Sequence, residues 1–568
     1  MRIVTRRTTG WPNKTGQAAR GGVWLAWAAI AVLAAGGAAG CRRGAAPDDT
    51  HGAAPGAAAR EASGEPADGR LWFLGDADLR SEVPAGVRRA DGRPPDVSCL
   101  LFVWNPAPEP ASVTLRIYSA SAAPRSLPIA AAGRHLTVVD VAGREDIPRD
   151  GPLWFVLEAD RPVFPQLRHS FHRPWDEVPD TLTAPLPRAG PLDEADRALV
   201  YPDGFQGGTE SWYEQELVTV LNPGHRDARV RLTFRFRDGR SPLQTDVIVP
   251  AERAFPLRAW TLFGVTGDDS TSPRVSGDYA MLLESDTPVA SQQTRLARWR
   301  GERHISGSRP FAPLRAALGE TREWYLPGGW VRSLGLLPRD DYTSFTWHLL
   351  FTHNLDPRGK RRLSVTIHDA AGRTRRSGTL AVGPARSDLQ WLHSAPWRGE
   401  QVPLDEPWAA VLRTDGQLVP DVTLAEFDAW SQAMPGAMAA TGLVPGPLTD
   451  EREWWLGAFT HGAAESGGAE WSAAWQLFNP GQAEVRVGLQ FLGLPSGPLE
   501  YSVTIGPGAV ARVTGDQVAG LPHGKPFVVR ATADQPFTAQ GWLRVATQGV
   551  PGTRAMASGI GVPMALVP

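Results

Sequence analysis

An internal repeat of about 125 residues constrains the fold of this chain more than any other feature. Aromatic-rich segments recur in order at Leu71–Gly75, Leu199–Gly204, Glu323–Gly328 and Glu453–Gly457. When Phe73, Tyr201, Tyr325 and Trp455 are taken as equivalent, they are separated by 128, 124 and 130 residues. The spacing predicts that one folding module was duplicated until four copies filled residues 71–568.

Two further landmarks support the repeat. An apolar run ends in asparagine in every copy, at Asn105, Asn222, Asn354 and Asn479, and an aspartate closes every copy, at Asp160, Asp286, Asp415 and Asp534. The first and last asparagines are 374 residues apart, and so are the first and last aspartates. Proline follows three of the asparagines, which is typical of a turn, so we expect these asparagines to have a structural role.

Apolar residues alternate with a period of two after each asparagine, as in Val230, Leu232, Phe234 and Phe236. This alternation predicts a half-buried antiparallel strand. With frequent turn signals between short strands, it predicts an all-β fold of four tandem antiparallel β-sandwich domains, at 71–190, 191–318, 319–448 and 449–568. The segment 423–430 has a helix-like pattern with a candidate capping box, whereas its place in the repeat predicts a strand.

The first 40 residues have the order of an export signal. Basic residues such as Arg6 and Arg7 precede the apolar stretch Val23–Leu33, and small residues lead to Cys41. Ala38-Ala39-Gly40-Cys41 resembles the lipobox of bacterial lipoproteins, which implies acylation of the Cys41 thiol after cleavage. A single uncleaved anchor helix and an ordinary signal peptide are the alternatives, and 17 residues from Val23 to Ala39 are at the short limit for a span.

Residues 41–70 predict a flexible linker behind the lipidated cysteine. The stretch is rich in Ala, Gly and Pro and has no aromatic or large aliphatic residue, so it cannot bury enough surface to fold. Its expected r.m.s. reach is about 30 Å. We therefore expect an exported, membrane-anchored protein at the periplasm or the cell surface.

Composition excludes several classes of protein. The 58 basic and 60 acidic side chains leave a net charge of −2, and 111 glycines and prolines argue against a long coiled coil. Two cysteines give no disulfide framework, since Cys41 is the expected lipidation site. Cys99 lies in an apolar run, where a free cysteine is expected to be a small buried hydrophobe.

Taken together, these landmarks resemble the small β-sandwich of the sensory rhodopsin transducer family and related repeats in secreted bacterial proteins. Copy 2 carries the resemblance best, in Glu216–Asn222, Val249–Arg253 and Ser285–Val289 through Arg295. The family associates as a ring-like homotetramer, which implies that four linked copies form a pseudo-tetramer within one chain. Because the chain carries an export signal, neither a cytoplasmic light receptor nor a nucleic acid is an expected partner.

Motifs for chemistry are lacking. The sequence has no P-loop, no His-Glu-x-x-His, no Cys-x-x-Cys and no Gly-x-Ser-x-Gly. His169 and His172, near Asp176, have a spacing that points to opposite faces of a strand, and His348 and His353 are likewise an odd number apart. We therefore predict no catalytic residues, no metal site and no cofactor, and the chain is more readily explained as a non-enzyme.

A cluster of seven cations in copy 3 is the candidate anion-binding patch. Its members are Arg358, Lys360, Arg361, Arg362, Arg373, Arg375 and Arg376, which we place near one end of a sheet across a hairpin. They suit anionic glycan, lipid headgroups or phosphates. A solvated hairpin in an arginine-rich protein is the alternative.

The sequence thus predicts a non-enzymatic binding or scaffolding lipoprotein of the bacterial cell envelope. Its expected partners are the membrane, through the lipid anchor, and an envelope glycan or another envelope protein. The alternative is a carbohydrate-binding or carbohydrate-active envelope protein. Exposed tryptophans would favour it, the candidates being Trp212, Trp347, Trp471 and Trp475, whereas core packing is the ordinary role of tryptophan in a sandwich.

Overall fold

A computed structural model describes the body of the chain. The described residues are 70–78, 97–148, 151–172, 179–183, 188–209, 212–258, 277–299, 302–308, 322–330, 344–392, 397–400, 402, 405–428, 435–440, 443–464, 468–547, 555–560 and 562–563. The predicted signal peptide and Cys41 lie outside them. All the described residues belong to one compact unit, which comprises Gly64–Trp430 and Met434–Pro568.

Strands account for nearly all of the regular structure. In copy 1 they are β1 (Leu71–Asp78), β2 (Val97–Asn105), β3 (Ala111–Tyr118), β4 (Arg125–Ala131), β5 (His135–Asp140), β6 (Pro152–Ala159), β7 (Phe164–His172), β8 (Pro179–Thr183) and β9 (Arg188–Ala189). In copy 2 they are β10 (Ala198–Thr209), β11 (Trp212–Asn222), β12 (Ala228–Phe236), β13 (Leu243–Val249), β14 (Arg253–Arg258), β15 (Gly277–Ser285), β16 (Ala290–Trp299) and β17 (Glu302–Ser308).

The same succession continues in the second half of the chain. Copy 3 contains β18 (Glu323–Trp330), β19 (Ser344–Asn354), β20 (Arg361–Asp369), β21 (Thr374–Val382), β22 (Ser387–Trp391), β23 (Arg398–Gly399), β24 (Pro407–Thr414), β25 (Leu418–Asp428), β26 (Pro435–Ala440) and β27 (Val444–Gly446). Copy 4 contains β28 (Glu453–Thr460), β29 (Gly462–Ala463), β30 (Ala469–Phe478), β31 (Val485–Leu492), β32 (Leu499–Ile505), β33 (Val510–Thr514), β34 (Pro526–Ala533), β35 (Thr538–Thr547), β36 (Ala555–Ile560) and β37 (Val562–Pro563).

The described residues contain no α-helix, only the 3₁₀ turns Glu194–Arg197 and Gly515–Gln517. The all-β prediction is therefore confirmed. The helix-like segment that starts at Thr423 is part of strand β25, as its place in the repeat predicts. Among the described residues, no helix has the length and apolar character needed to cross a bilayer.

Every copy builds two antiparallel sheets with one strand order. The first sheets run β4-β3-β6-β1-β9, β13-β12-β15-β10, β23-β21-β20-β24-β18-β27 and β32-β31-β34-β28-β37. The second sheets run β5-β2-β7-β8, β14-β11-β16-β17, β22-β19-β25-β26 and β33-β30-β35-β36. In copy 2 the end of β10 also pairs with β11, which joins the two sheets. The domain boundaries drawn from the sequence stay a prediction.

The asparagine landmark makes the same hydrogen bonds in every copy. Asn105 Nδ2 donates to the carbonyls of Glu109 and Ala131 at 2.8 and 3.0 Å, and the Ala107 amide donates to Asn105 Oδ1 at 3.0 Å. Asn222, Asn354 and Asn479 repeat this pattern. All four are buried, so the expected structural role is confirmed: one side chain satisfies three backbone groups of a turn.

The aspartate landmark is equally regular. Asp160 Oδ1 accepts from the Ser112 amide at 3.0 Å, at the start of the alternating strand β3. Asp286, Asp415 and Asp534 accept from the equivalent amides of Arg229, Arg362 and Arg486. These bonds fix the turn that closes each copy to the strand that begins its alternating face.

Burial follows the predicted alternation. In β12, Val230, Leu232 and Phe234 are buried while Arg229 and Arg231 are exposed. The cores lie between the two sheets of each copy and contain five fully buried tryptophans, namely Trp72, Trp154, Trp408, Trp454 and Trp475. Cys99 is a buried free thiol, as expected.

Contacts between copies run in a closed cycle within the compact unit. The opening strand of each copy contacts the second sheet of the next, in the pairs β1 with β16, β10 with β25, β18 with β35, and β28 with β7. The last of these pairs joins copy 4 to copy 1. The strands β8, β17, β26 and β36 also contact one another in cyclic order. The expected pseudo-tetramer requires this contact pattern.

A bulge in the opening strand shapes each contact. The register shifts between Leu74 and Ala77 in β1, and the three equivalent strands shift at the same place. The bulge of copy 1 brings Gly75 against Gln292 of copy 2, where a Cβ on Gly75 would lie 2.5 Å from Gln292 Oε1. Glycine is therefore required here by a close approach between copies.

Candidate functional site

The structure separates the predicted basic patch into two groups. Across the β20–β21 hairpin, Arg361 is opposite Val382, whereas Arg376 is opposite Ile367. Six residues of strand between 361 and 367 correspond to about 20 Å. The group 358–362 therefore lies at the other end of the hairpin from the group 373–376, and the expectation that all seven cations share one sheet end is not met.

The two groups also differ in how their charge is compensated. Arg373 and Arg375 both pair with Asp369, at 2.9 and 2.6 Å, and Arg375 also pairs with Glu400. Arg376 is buried and donates from Nε to the Glu400 carbonyl at 2.7 Å. In the first group, Arg361 pairs with Asp356, while the side chains of Arg358, Lys360 and Arg362 are exposed and make no bond to the described residues.

The histidines are packed into the structure. On β19, His348 Nε2 accepts from the Trp330 amide at 3.3 Å and its ring lies 4.6 Å from that of Trp408. His169 is buried on β7, while the side chain of His172 and all of Asp176 lie outside the described residues. The described residues contain no group of three His, Cys, Asp or Glu that fits a metal ion.

Two of the candidate tryptophans are described with their side chains. Trp475 is fully buried and packs edge-on against Phe491, so it belongs to the core of copy 4. Trp471 is partly buried and lies beside Arg168 of copy 1. The side chains of Trp212 and Trp347 lie outside the described part of the chain.

Ionisable residues concentrate where copy 2 meets copy 3. In the interior of copy 2, Glu216 is fully buried and accepts three hydrogen bonds. The Phe205 amide donates to Oε1 at 2.8 Å, the Tyr279 hydroxyl donates to Oε2 at 2.7 Å, and Gln293 Nε2 also donates to Oε2. Gln293 continues the network by donating to the carbonyl oxygen of Asp203 at 3.1 Å.

The Asp203 side chain crosses the contact between the two copies. It is fully buried in the bulge of β10, and its carboxylate accepts from the hydroxyl of Thr423 on β25. Arg237 makes a second polar link, because its guanidinium pairs with Asp278 of copy 2 at 3.3 Å and with Asp388 of copy 3 at 3.2 Å. The interface is therefore held by buried or nearly buried charged groups.

His353 and Arg235 form the third polar element of this interface. His353 is fully buried, and its Nδ1 lies 2.9 Å from Ser387 Oγ. Burial and, to a lesser extent, the positive charge of Arg235 lower the pKa of His353 to about 3, against the opposing effect of a hydrogen bond to the Arg386 backbone. The imidazole is therefore neutral at neutral pH.

Equivalent positions in the other interfaces are largely apolar. By strand register, Arg235 corresponds to Tyr118, His368 and Leu492, and His353 corresponds to Leu221, Phe478 and Trp104. Tyr118 and Leu221 share one apolar cluster, and Leu492 and Trp104 share another. The polar pair is therefore a property of the contact between copies 2 and 3 and is not required by the fold.

We predict that His353→Phe removes an acid-sensitive part of the stability. Between pH 6.5 and pH 3 the unfolded chain binds a proton at His353 that the folded chain refuses, so the free energy of unfolding falls as the pH falls. The loss is about 1.4 kcal/mol per pH unit. Urea unfolding of both proteins at pH 7 and pH 4.5 should show a smaller drop for the variant, by about 2–3 kcal/mol. Equal drops would contradict the assignment.

The fold and this network define an all-β protein made of tandem antiparallel repeats. The segment that contains β10 to β17 identifies the family that the repeats resemble: residues 198–307 match the family model described as Anabaena sensory rhodopsin transducer. The resemblance drawn from the landmarks of copy 2 is thereby confirmed. No curated protein matches the chain.

Two solved structures were compared with the chain. The crystal structure of Thermotoga maritima 1070 is 23% identical, covers 19% of this chain and 87% of its own, and has a TM-score of 0.16. The crystal structure of a tetra-tandem repeat in the extending region of a large adhesion protein is 13% identical, covers 81% of this chain and 93% of its own, and has a TM-score of 0.10.

The polar interface was not predicted from the sequence, although a signal for it exists. Glu216 stands six residues before the asparagine landmark, where the other copies have Cys99, His348 and Ala473. A carboxylate on the inward face of a predicted strand is unusual, because buried acids need hydrogen-bond partners. A position-by-position comparison of the four copies would therefore have identified Glu216.

Proposed function

We propose that this protein is a non-catalytic binding or scaffolding module of the bacterial cell envelope, exported and held at a membrane by a lipid on Cys41. The observation that carries the scaffolding role is the closed cycle of contacts between copies. Buried side chains from two copies meet in these contacts, as in Asp203 with Thr423 and Phe73 with Leu221. A body stabilised in this way suits the presentation of surfaces to an envelope glycan or another envelope protein.

The anchoring part of the proposal rests on the lipobox-like sequence before Cys41. We expect the full-length protein, expressed in a bacterium, to partition into the detergent phase, and Cys41→Ser to remain in the aqueous phase because the acyl chains are lost. Cys99→Ala is the matched control, since Cys99 is a buried thiol and its loss leaves the anchor intact. Detergent partition of Cys41→Ser like that of the wild type would contradict the proposal.

The basic groups of copy 3 make a second, separable prediction. Anionic liposomes should bind the soluble 71–568 fragment through the exposed side chains, so replacing Arg358, Lys360 and Arg362 with serine should weaken binding by about tenfold or more at low salt. Replacing Arg373 and Arg375 should have little effect because their charges are paired with carboxylates. Equal effects of the two sets, or none, would show that the exposed group is a solvated hairpin end.

A further inference from the structure

Arg168 occupies an unusual position at the contact between copy 1 and copy 4. It lies on β7, and its guanidinium carbon is 4.8 Å from the ring centroid of Phe102 and 5.1 Å from that of Trp471. Phe102 belongs to copy 1, whereas Trp471 belongs to β30 of copy 4. Two aromatic rings from different copies therefore flank the cation, and both contacts are of the cation–π type.

Most hydrogen-bonding capacity of this guanidinium is unused. Arg168 Nη1 donates to Thr460 Oγ1 at 2.9 Å, and this is its one hydrogen bond to the described residues. A guanidinium has five N–H donors. No carboxylate of the described residues forms an ion pair with it, although buried charges in proteins are normally paired.

The cation is nevertheless retained as a cation. Burial lowers the pKa of Arg168 to about 10, which leaves the side chain protonated at neutral pH. The flanking rings exclude water from the guanidinium, and a charge in such surroundings interacts more strongly with an opposite charge than it would in bulk water. The unused donors and the reduced hydration together favour an anionic ligand.

The fold itself does not require a cation at this position. Strand register makes Arg168 equivalent to Thr294, Thr423 and Trp542 in the other copies. Thr423 and Trp542 both find polar partners, which are Asp203 and Gln476. Arg168 is thus a local feature of the contact between copies 1 and 4, and its charge needs an explanation other than packing.

We propose that Arg168, flanked by Phe102 and Trp471, binds an oxyanion at this contact. The planar fork of arginine matches the two oxygens of a carboxylate or of a phosphate group, and these are the ligand chemistries that the site would take. Trp471 and Thr460 come from copy 4, so the site is complete only when copies 1 and 4 are in contact. The proposal is independent of lipidation at Cys41, and its failure would leave the anchoring proposal untouched.

Calorimetric titration of the soluble 71–568 fragment at low ionic strength tests this site. The probes are inorganic phosphate, sodium glucuronate and, as the uncharged comparison, glucose. We expect saturable binding of at least one anion and none of glucose. Arg168→Met, whose apolar chain still fits between the two rings, should weaken binding by about tenfold or more, or about 1.4 kcal/mol. Arg161→Met, which removes an arginine paired with Glu109, should bind as the wild type does.

The outcomes separate the ligand classes. Binding of phosphate alone assigns a phosphoryl group, binding of glucuronate alone assigns a carboxylated sugar, and binding of both assigns a general oxyanion site. Failure of both anions to bind the wild-type fragment at concentrations up to about 10 mM would overturn the proposal without any variant. Undiminished binding by a folded Arg168→Met protein, checked by circular dichroism, would overturn it as well. Arg168→Gln serves the same purpose if Arg168→Met does not fold.

Discussion

Replacing Trp455 with alanine should break the contact that joins copy 4 to copy 1. Trp455 is buried on β28, and its ring centroid lies 6.4 Å from that of Trp104 and 5.9 Å from that of Phe164. Removing so large a buried ring costs about 3–5 kcal/mol. Copies 1 and 4 are not consecutive in the chain, so little else keeps them together. We therefore expect a lower free energy of unfolding and a larger radius of gyration in solution scattering.

Tyr325→Ala is the matched control for this prediction. Tyr325 occupies the equivalent place in copy 3 and packs against Phe478 of copy 4, with ring centroids 6.1 Å apart. Copies 3 and 4 are consecutive, so the chain keeps their effective concentration high even when the contact is weakened. The variant should lose stability without a larger radius of gyration. A Trp455→Ala protein that scatters like the wild type would contradict the expected role of the closing contact.

Glu216→Leu should be the most destabilising single change inside copy 2. The substitution leaves the Phe205 amide, the Tyr279 hydroxyl and the Gln293 amide without their shared acceptor. Each buried polar group left unsatisfied costs about 1–3 kcal/mol, so we expect a loss of at least about 3 kcal/mol. Urea unfolding followed by tryptophan fluorescence measures the loss as a lower midpoint at an unchanged slope.

Cys99→Leu provides the comparison at the equivalent position of copy 1. Cys99 is buried against apolar neighbours of that core, so the change exchanges one hydrophobe for a larger one and costs about 1–3 kcal/mol through overpacking. Glu216→Leu should exceed this loss because it adds unsatisfied donors to the change in shape. Equal losses in the two variants would mean that the hydrogen bonds of Glu216 contribute nothing beyond packing.

Much of the fold within a copy could be predicted from the sequence. The alternation at Val230, Leu232 and Phe234 identified the buried face of β12, and the asparagine and aspartate landmarks identified turns that the structure closes with the same hydrogen bonds in every copy. These predictions succeed because burial with a period of two and turn chemistry depend on residues close together in the chain.

Predictions of sites were less successful because they depend on register. Arg361 and Arg376 are neighbours in the sequence and share a hairpin, yet their places opposite Val382 and Ile367 set them at different ends of it. The pattern of charges does not contain the length of the hairpin or the partners of each cation. Asp356, Asp369 and Glu400 neutralise several of them through contacts that only the folded chain defines.

By itself, the sequence determined the strands, the turns, the inward face of each strand and the repetition of one unit, because these follow from local sterics and from apolar periodicity. Only the tertiary structure decided which copies touch and what meets between them. Trp471 reaches Arg168, Trp455 reaches Trp104, and Thr423 reaches Asp203 across hundreds of residues. The physical reason is that such contacts depend on two surfaces fitting together, and no periodicity along one strand records the shape of its remote partner.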